Sequence, residues 1–127
     1  MTRQPEGKLV TNIRRTLRDK GARAFKIQGD AEMFQEVGIP DLLVCYRGRF
    51  VGLEAKMPGN RATAKQMAIL NEIANAGGNA AVVTTVGEVS RLLAKIDREV
   101  DSGRTPSRNT VYVSPDARSN EHKHRRT

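Results

Sequence analysis

GIPDLLVCYRGRFVGLEAK, residues 38–56, holds two apolar runs, 42–46 and 50–53, on either side of Arg47-Gly48. A glycine in a two-residue connection between such runs predicts a β-hairpin. With Arg47-Gly48 as the turn, Tyr46 pairs with Arg49, and counting outward sets Asp41 opposite Glu54. Directly opposed side chains stand about 4.5–5.5 Å apart at Cβ, and like charges there are destabilising. Strand alternation returns Lys56 to the side of Glu54. Two carboxylates and an ammonium therefore converge, in an arrangement that a bound divalent cation would relieve. Val51, Leu53 and Ala55 take one face of the second strand, and Phe50, Gly52, Glu54 and Lys56 the other. Gly52 is read as leaving space beside Glu54, with Gly38 and Pro40 stiffening the approach to Asp41.

Outward from the hairpin, the pattern alternates between helical and strand periods. Leu9, Val10, Ile13 and Leu17 form a helical stripe over 6–20, with Pro5 at its start, Gly21 at its stop and Arg14, Arg15 and Arg18 off its centre. Glu6 falls on the apolar face of the first turn, where it either complements the helix dipole or points toward the sheet. A short strand is predicted over 22–28 and a loop over 29–37, the latter containing Asp30, Glu32 and Glu36. After Pro58-Gly59 the helical period resumes over 61–76, with Ile69, Leu70, Ile73 and Ala74 inward and Gly77-Gly78 as its close. Gln66 falls inside that stripe. A buried amide needs partners, so it is either a satisfied core glutamine or a group serving the carboxylates. A buried strand over 79–85 and a last helix over 87–100 follow.

The 127 residues carry 22 basic and 14 acidic side chains, a net charge of +8. This favours a polyanionic partner, nucleic acid first, and says little about fold. Residues 101–127 hold six basic and three acidic residues among Ser, Pro and Asn. They are expected to be a basic, mostly disordered tail ending in EHKHRR, because so few apolar groups cannot offset the entropy of ordering, with only Val111-Tyr112-Val113 able to make a short strand. The folded domain is then residues 1–100, an α/β unit with a mixed sheet. Cys45 is the one cysteine, expected to be a buried inert thiol, so a disulfide within the chain is impossible. The N-terminus lacks a signal-peptide apolar region and no run reaches transmembrane length, so the expectation is a cytoplasmic protein without membrane partners.

Carboxylates beside a backbone carbonyl suit Mg²⁺, with Mn²⁺ able to substitute, whereas His122 and His124 lie in the tail and leave zinc no ligand set. The series Ile39-Pro40-Asp41, Glu54-Ala55-Lys56 and Gln66 in the next helix resembles the PD-(D/E)xK nuclease superfamily, in its VRR-NUC branch. The similarity spans roughly residues 6 to 93, with the order α-β-β-β-α-β of a restriction-endonuclease-like core. The resemblance implies Asp41, Glu54 and the Ala55 carbonyl as metal ligands, Glu6 as a further one from the first helix, and Lys56 as the catalytic lysine. It makes Gln66 a support for the site or a substrate contact. It also implies a standalone, phage-type endonuclease acting on DNA, often branched, and commonly as a homodimer, in the host cytoplasm if phage-encoded. Arg14, Arg15, Arg18 and Lys65 are the candidate nucleic-acid contacts. A basic DNA-binding protein that keeps the nuclease fold without activity is the alternative from another class, and an RNase or restriction-type enzyme would share the metal chemistry.

Overall fold

The computed structural model describes residues 5–27 and 37–118. Most of the loop with Asp30, Glu32 and Glu36, and the EHKHRR end, lie outside the described residues. Helix α1 (Pro5–Asp19) leads into strand β1 (Arg23–Lys26), then β2 (Leu42–Tyr46) and β3 (Arg49–Ala55). Helix α2 (Ala64–Asn75), strand β4 (Asn79–Val83), helix α3 (Val86–Asp101) and strand β5 (Tyr112–Val113) follow, with a final 3-10 turn at Pro115–Arg118. The strands form one mixed sheet in the order β1-β2-β3-β4-β5, so the fold is α/β with three α-helices among the described residues. β1, β2 and β3 are antiparallel, whereas β4 and β5 each run parallel to the preceding strand.

The hairpin has the register counted from its turn: Leu42 faces Leu53 and Tyr46 faces Arg49. Arg47 and Gly48 both have positive φ, 49° and 79°, as a two-residue turn that matches strand twist requires. Arg47 is outside the region most side chains prefer. Its guanidinium is held by Asp97 and Asp101 of α3, at 3.0 Å each.

Alternation along the strands divides the apolar side chains between two layers. Val10, Ile13 and Leu17 of α1 and Val89, Leu93 and Ile96 of α3 pack on one face against Leu42, Val44, Val51 and Leu53. A smaller layer on the other face joins Leu70 and Ala74 of α2 to Ala80, Val82 and Ala117. Gly52 belongs to this second face and does not leave space there. A Cβ on Gly52 would sit 2.9 Å from Ile73 Cδ1 and 3.2 Å from Pro40 Cγ, so its missing side chain is what lets α2 close on β3.

α2 covers only part of that face. Cys45, expected to be buried, is exposed, because it lies on β2 beyond the reach of α2. Phe25 and Phe50, which share this side of the sheet by register, are 52% and 47% exposed.

The domain also runs past residue 100. Residues 104–118, expected to be disordered apart from a possible short strand at Val111-Tyr112-Val113, return along α2 and β4, and Tyr112–Val113 forms the fifth strand. Asn109 donates its N–H to the Ala74 carbonyl and its Nδ2 to that of Gly78, both at 2.9 Å. Tyr112 and Val113 pair with Ala81 and Val82, and Ser114 donates to the Val82 carbonyl at 2.8 Å. The Tyr112 hydroxyl donates to Glu88, whose carboxylate also accepts from the Thr84 and Thr85 amides at 2.8 and 3.1 Å. The segment is short of large apolar groups, but backbone pairing and a satisfied polar network do not depend on them.

Candidate metal centre

Asp41 and Glu54 meet where β2 begins and β3 ends. The Asp41 N–H donates to Glu54 Oε1 at 3.3 Å, and the Ala55 N–H donates to Asp41 Oδ2 at 2.9 Å. Each carboxylate is thus oriented by the backbone of the other's strand, and the Ala55 peptide is fixed beside the pair. Glu6, in the first turn of α1, completes the group: one oxygen from each of Glu6, Asp41 and Glu54 lies within 4.8 Å of the others. Of the two roles open to Glu6, the structure therefore assigns the inward one. Lys56 follows from strand alternation, and its Nζ stands 3.4 Å from Glu54 Oε2 with the lysine side chain only 13% exposed.

Burial raises the pKa of all three carboxylates, and the Lys56 ammonium opposes the rise at each. Burial, and then the charge of Asp41, push Glu54 up from 4.5 to about 7, against the opposing pull of Lys56. Burial also raises Asp41, although the Ala55 N–H, Lys56 and Lys26 each act to lower it. Glu6 is raised by burial too, with Lys56 opposing and Asp41 reinforcing. The donor set is wholly carboxylate oxygen, which fits a hard divalent cation and no soft one.

Lys26, at the end of β1, is a cation near the site that the sequence reading did not single out. The strand predicted over 22–28 contains it, but only the pairing of β1 with β2 brings it to the site: its partner in register, Leu42, is the neighbour of Asp41. Gln66 is not where it was expected. It is half-buried, and its Oε1 accepts from the Thr63 N–H at 2.9 Å while the Gln66 N–H donates to Thr63 Oγ1 at 3.1 Å. These two bonds are the reciprocal cap of α2, and the signal was present as Thr63-Ala64-Lys65-Gln66. Lys65 is exposed in the same turn. Arg14, Arg15 and Arg18 are exposed on α1 and line a groove against β1, away from the carboxylates.

The raised Glu54 makes a signed prediction. A carboxyl group whose pKa is higher in the folded state contributes stability below about pH 4.5 that is lost as pH rises through about 7. The shift corresponds to on the order of 3 kcal/mol. In EDTA the thermal midpoint is expected to fall between pH 5 and 8, and Mg²⁺ or Mn²⁺ to restore more of it at pH 8 than at pH 5. Burial opposes the hydrogen bonds that hold Glu88 low, and those bonds win. Glu88 and Asp97 therefore act in the opposite sense, but at acid pH, below this window. A midpoint flat from pH 5 to 8 in EDTA would contradict the coupling of the three carboxylates.

No family model and no curated protein matches this chain.

Proposed function

We propose that the protein is a divalent-metal-dependent endonuclease that hydrolyses DNA phosphodiester bonds, with a restriction-endonuclease-like core of the VRR-NUC type. The observation that carries this reading is the convergence of Glu6, Asp41 and Glu54 within 4.8 Å, with Lys56 held against Glu54 at 3.4 Å. A pure binding protein gains nothing from carboxylates gathered where a phosphate would lie, which is why the inactive alternative is less favoured. The net charge of +8 suits a polyanion. Branched substrates such as flaps or junctions, and action as a homodimer, belong to the same proposal through the resemblance of the motifs.

Asp41, Glu54 and Glu6, with the Ala55 carbonyl, would hold Mg²⁺. Bound there, the ion supplies Lewis-acid charge to a phosphoryl oxygen and a more acidic water. The Lys56 ammonium, positioned by Glu54, donates to the attacking water or to a phosphoryl oxygen as negative charge develops there. The Ala55 N–H keeps Asp41 from turning away while this happens. Lys26 adds a second positive charge on the β1 side.

Incubation with linear, flapped and four-way DNA in Mg²⁺, Mn²⁺ and EDTA tests the reading. Metal-dependent cleavage is expected, with Lys56→Ala slower by about 10²–10³-fold, the usual loss on removing one donor to developing charge. Tight DNA binding without cleavage in either metal would favour the inactive binding protein instead.

A further inference from the structure

We propose that the groove between α1 and the edge strand β1, together with the Arg23–Phe25 pair on β1, holds an unpaired arm of the nucleic-acid substrate. The identity of that substrate as DNA rests on the nuclease reading above; the surface itself does not.

Arg14, Arg15 and Arg18 line one side of a groove of about 600 Å³, and Ala22, Arg23 and Ala24 line the other. Arg14 and Arg18 are one helical turn apart, and Arg15 is three residues from Arg18, so the three cover one side of the helix. Like charges at that spacing destabilise a helix by about 0.2–0.5 kcal/mol per pair. Among the described residues no carboxylate lies at ion-pair distance from Arg14 or Arg18, and Arg15 donates only to Asn12 at 3.4 Å. Elsewhere on the surface Arg47 and Lys95 are matched by acidic partners. An anionic chain in the groove would supply the missing counter-charge.

The second component is aromatic. Arg23 and Phe25 alternate with the groove-lining alanines along β1, and the Arg23 guanidinium carbon lies 4.3 Å from the centre of the Phe25 ring. The ring is 52% exposed, and its stack with a planar cation offers π surface on which a base can continue. The ring lies on the opposite face of the edge strand from the groove, so a strand following the arginines passes around that edge to reach it. Cationic contacts together with an exposed aromatic bind single strands, whereas bases paired in a duplex present no face to stack. The position is also informative. Phe25 pairs with Leu43, and Leu43 is two residues from Asp41 on the same side of the sheet, a rise of about 7 Å. A strand stacked on Phe25 therefore lies within a nucleotide or two of the carboxylates, as an arm leaving a cleaved branch point would.

Anisotropy titrations with a fluorescein-labelled single strand, the blunt duplex of the same sequence and a flap, in Ca²⁺ and at several salt concentrations, test the surface without requiring cleavage. Phe25→Ala is expected to lower the single-strand-to-duplex affinity ratio about tenfold, within the range found for loss of one stacked base. Arg14→Gln with Arg18→Gln is expected to reduce the salt slope for the single strand by about 1.4, two phosphate contacts' worth. Both changes are at exposed positions, and circular dichroism checks that the fold persists. An unmoved ratio together with an unmoved slope overturns the proposal, even if the parent cleaves DNA. A changed ratio and slope in a protein that never cleaves would sustain the groove and refute the nuclease. A Phe25→Ala variant that turns a dimer into a monomer with strand affinity intact would reassign the exposed face to a second copy of the chain and overturn the proposal.

Discussion

Glu54→Gln is expected to abolish metal-dependent cleavage, by 10³-fold or more, and at the same time to raise the melting midpoint of the metal-free protein at pH 8. The first effect follows from the loss of a ligand charge at the centre of the carboxylate group, and its size is that of removing a major electrostatic contribution to the transition state. The second follows from burial. Glu54 is 1% exposed, and its pKa of about 7 means that the site prefers the neutral acid even with Lys56 beside it. Glutamine keeps the volume and the oxygen that accepts from the Asp41 N–H, while removing a charge that is both desolvated and opposed to Asp41. Replacing buried ionic groups by neutral ones of similar volume commonly stabilises by about 1–4 kcal/mol. Differential scanning fluorimetry in EDTA and a cleavage assay in Mg²⁺ read the two effects separately. A variant that cuts as fast as its parent would remove Glu54 from the mechanism. One that is both inactive and less stable would make Glu54 a structural residue.

Stopping the chain at Gly103 is expected to destabilise the domain by on the order of 3–5 kcal/mol, lowering the melting midpoint by about 10 °C or more. The segment lost is not an appendage. Its removal leaves β4 as an unpaired edge, uncovers Ala80 and Val82, and removes Ala117 from the layer beneath α2. Glu88 would lose the Tyr112 hydroxyl, and Thr84 would lose the Ser114 hydroxyl at 3.0 Å. Each buried polar group left without a partner costs about 1–3 kcal/mol. Tyr112→Phe isolates one part of this, with an expected loss of about 1–2 kcal/mol. If the shortened chain melts with the parent, β5 contributes nothing to the fold and the boundary returns to residue 100.

The contrast between these two cases shows what could be read in advance. Asp41, Glu54 and Lys56 were legible because a hairpin is local: turn type and period-two alternation decide which side chains meet. Glu6 was half legible, since a helix stripe gives its face but not the distance to a sheet. The order of elements from α1 to α3 followed from alternating periods with glycine and proline stops, whereas the strand order in the sheet did not. β5 was legible only as a possible short strand at Val111-Tyr112-Val113; its place in the sheet was not, because two residues pair with a strand thirty-one positions earlier and their binding is mostly backbone. Cys45 shows the same non-local dependence. Its apolar neighbours make a buried reading natural, yet its exposure is set by where α2 ends its cover of the sheet. Gln66 differs for another reason: its position in the stripe suggests an inward amide, whereas Thr63 three residues earlier makes it half of a helix cap.

The turn at Arg47-Gly48, clamped to Asp97 and Asp101, constrains how this protein can change over generations. Substitutions at its tip leave the pairing intact as long as the backbone can still turn. A single residue inserted or deleted inside either strand, where neither the turn nor a bulge absorbs it, would exchange the two faces of one strand relative to the other. Glu54 would enter the aliphatic layer under α1 and α3, and an apolar neighbour would take its place beside Asp41. Drift in this hairpin is therefore open in spelling and closed in length.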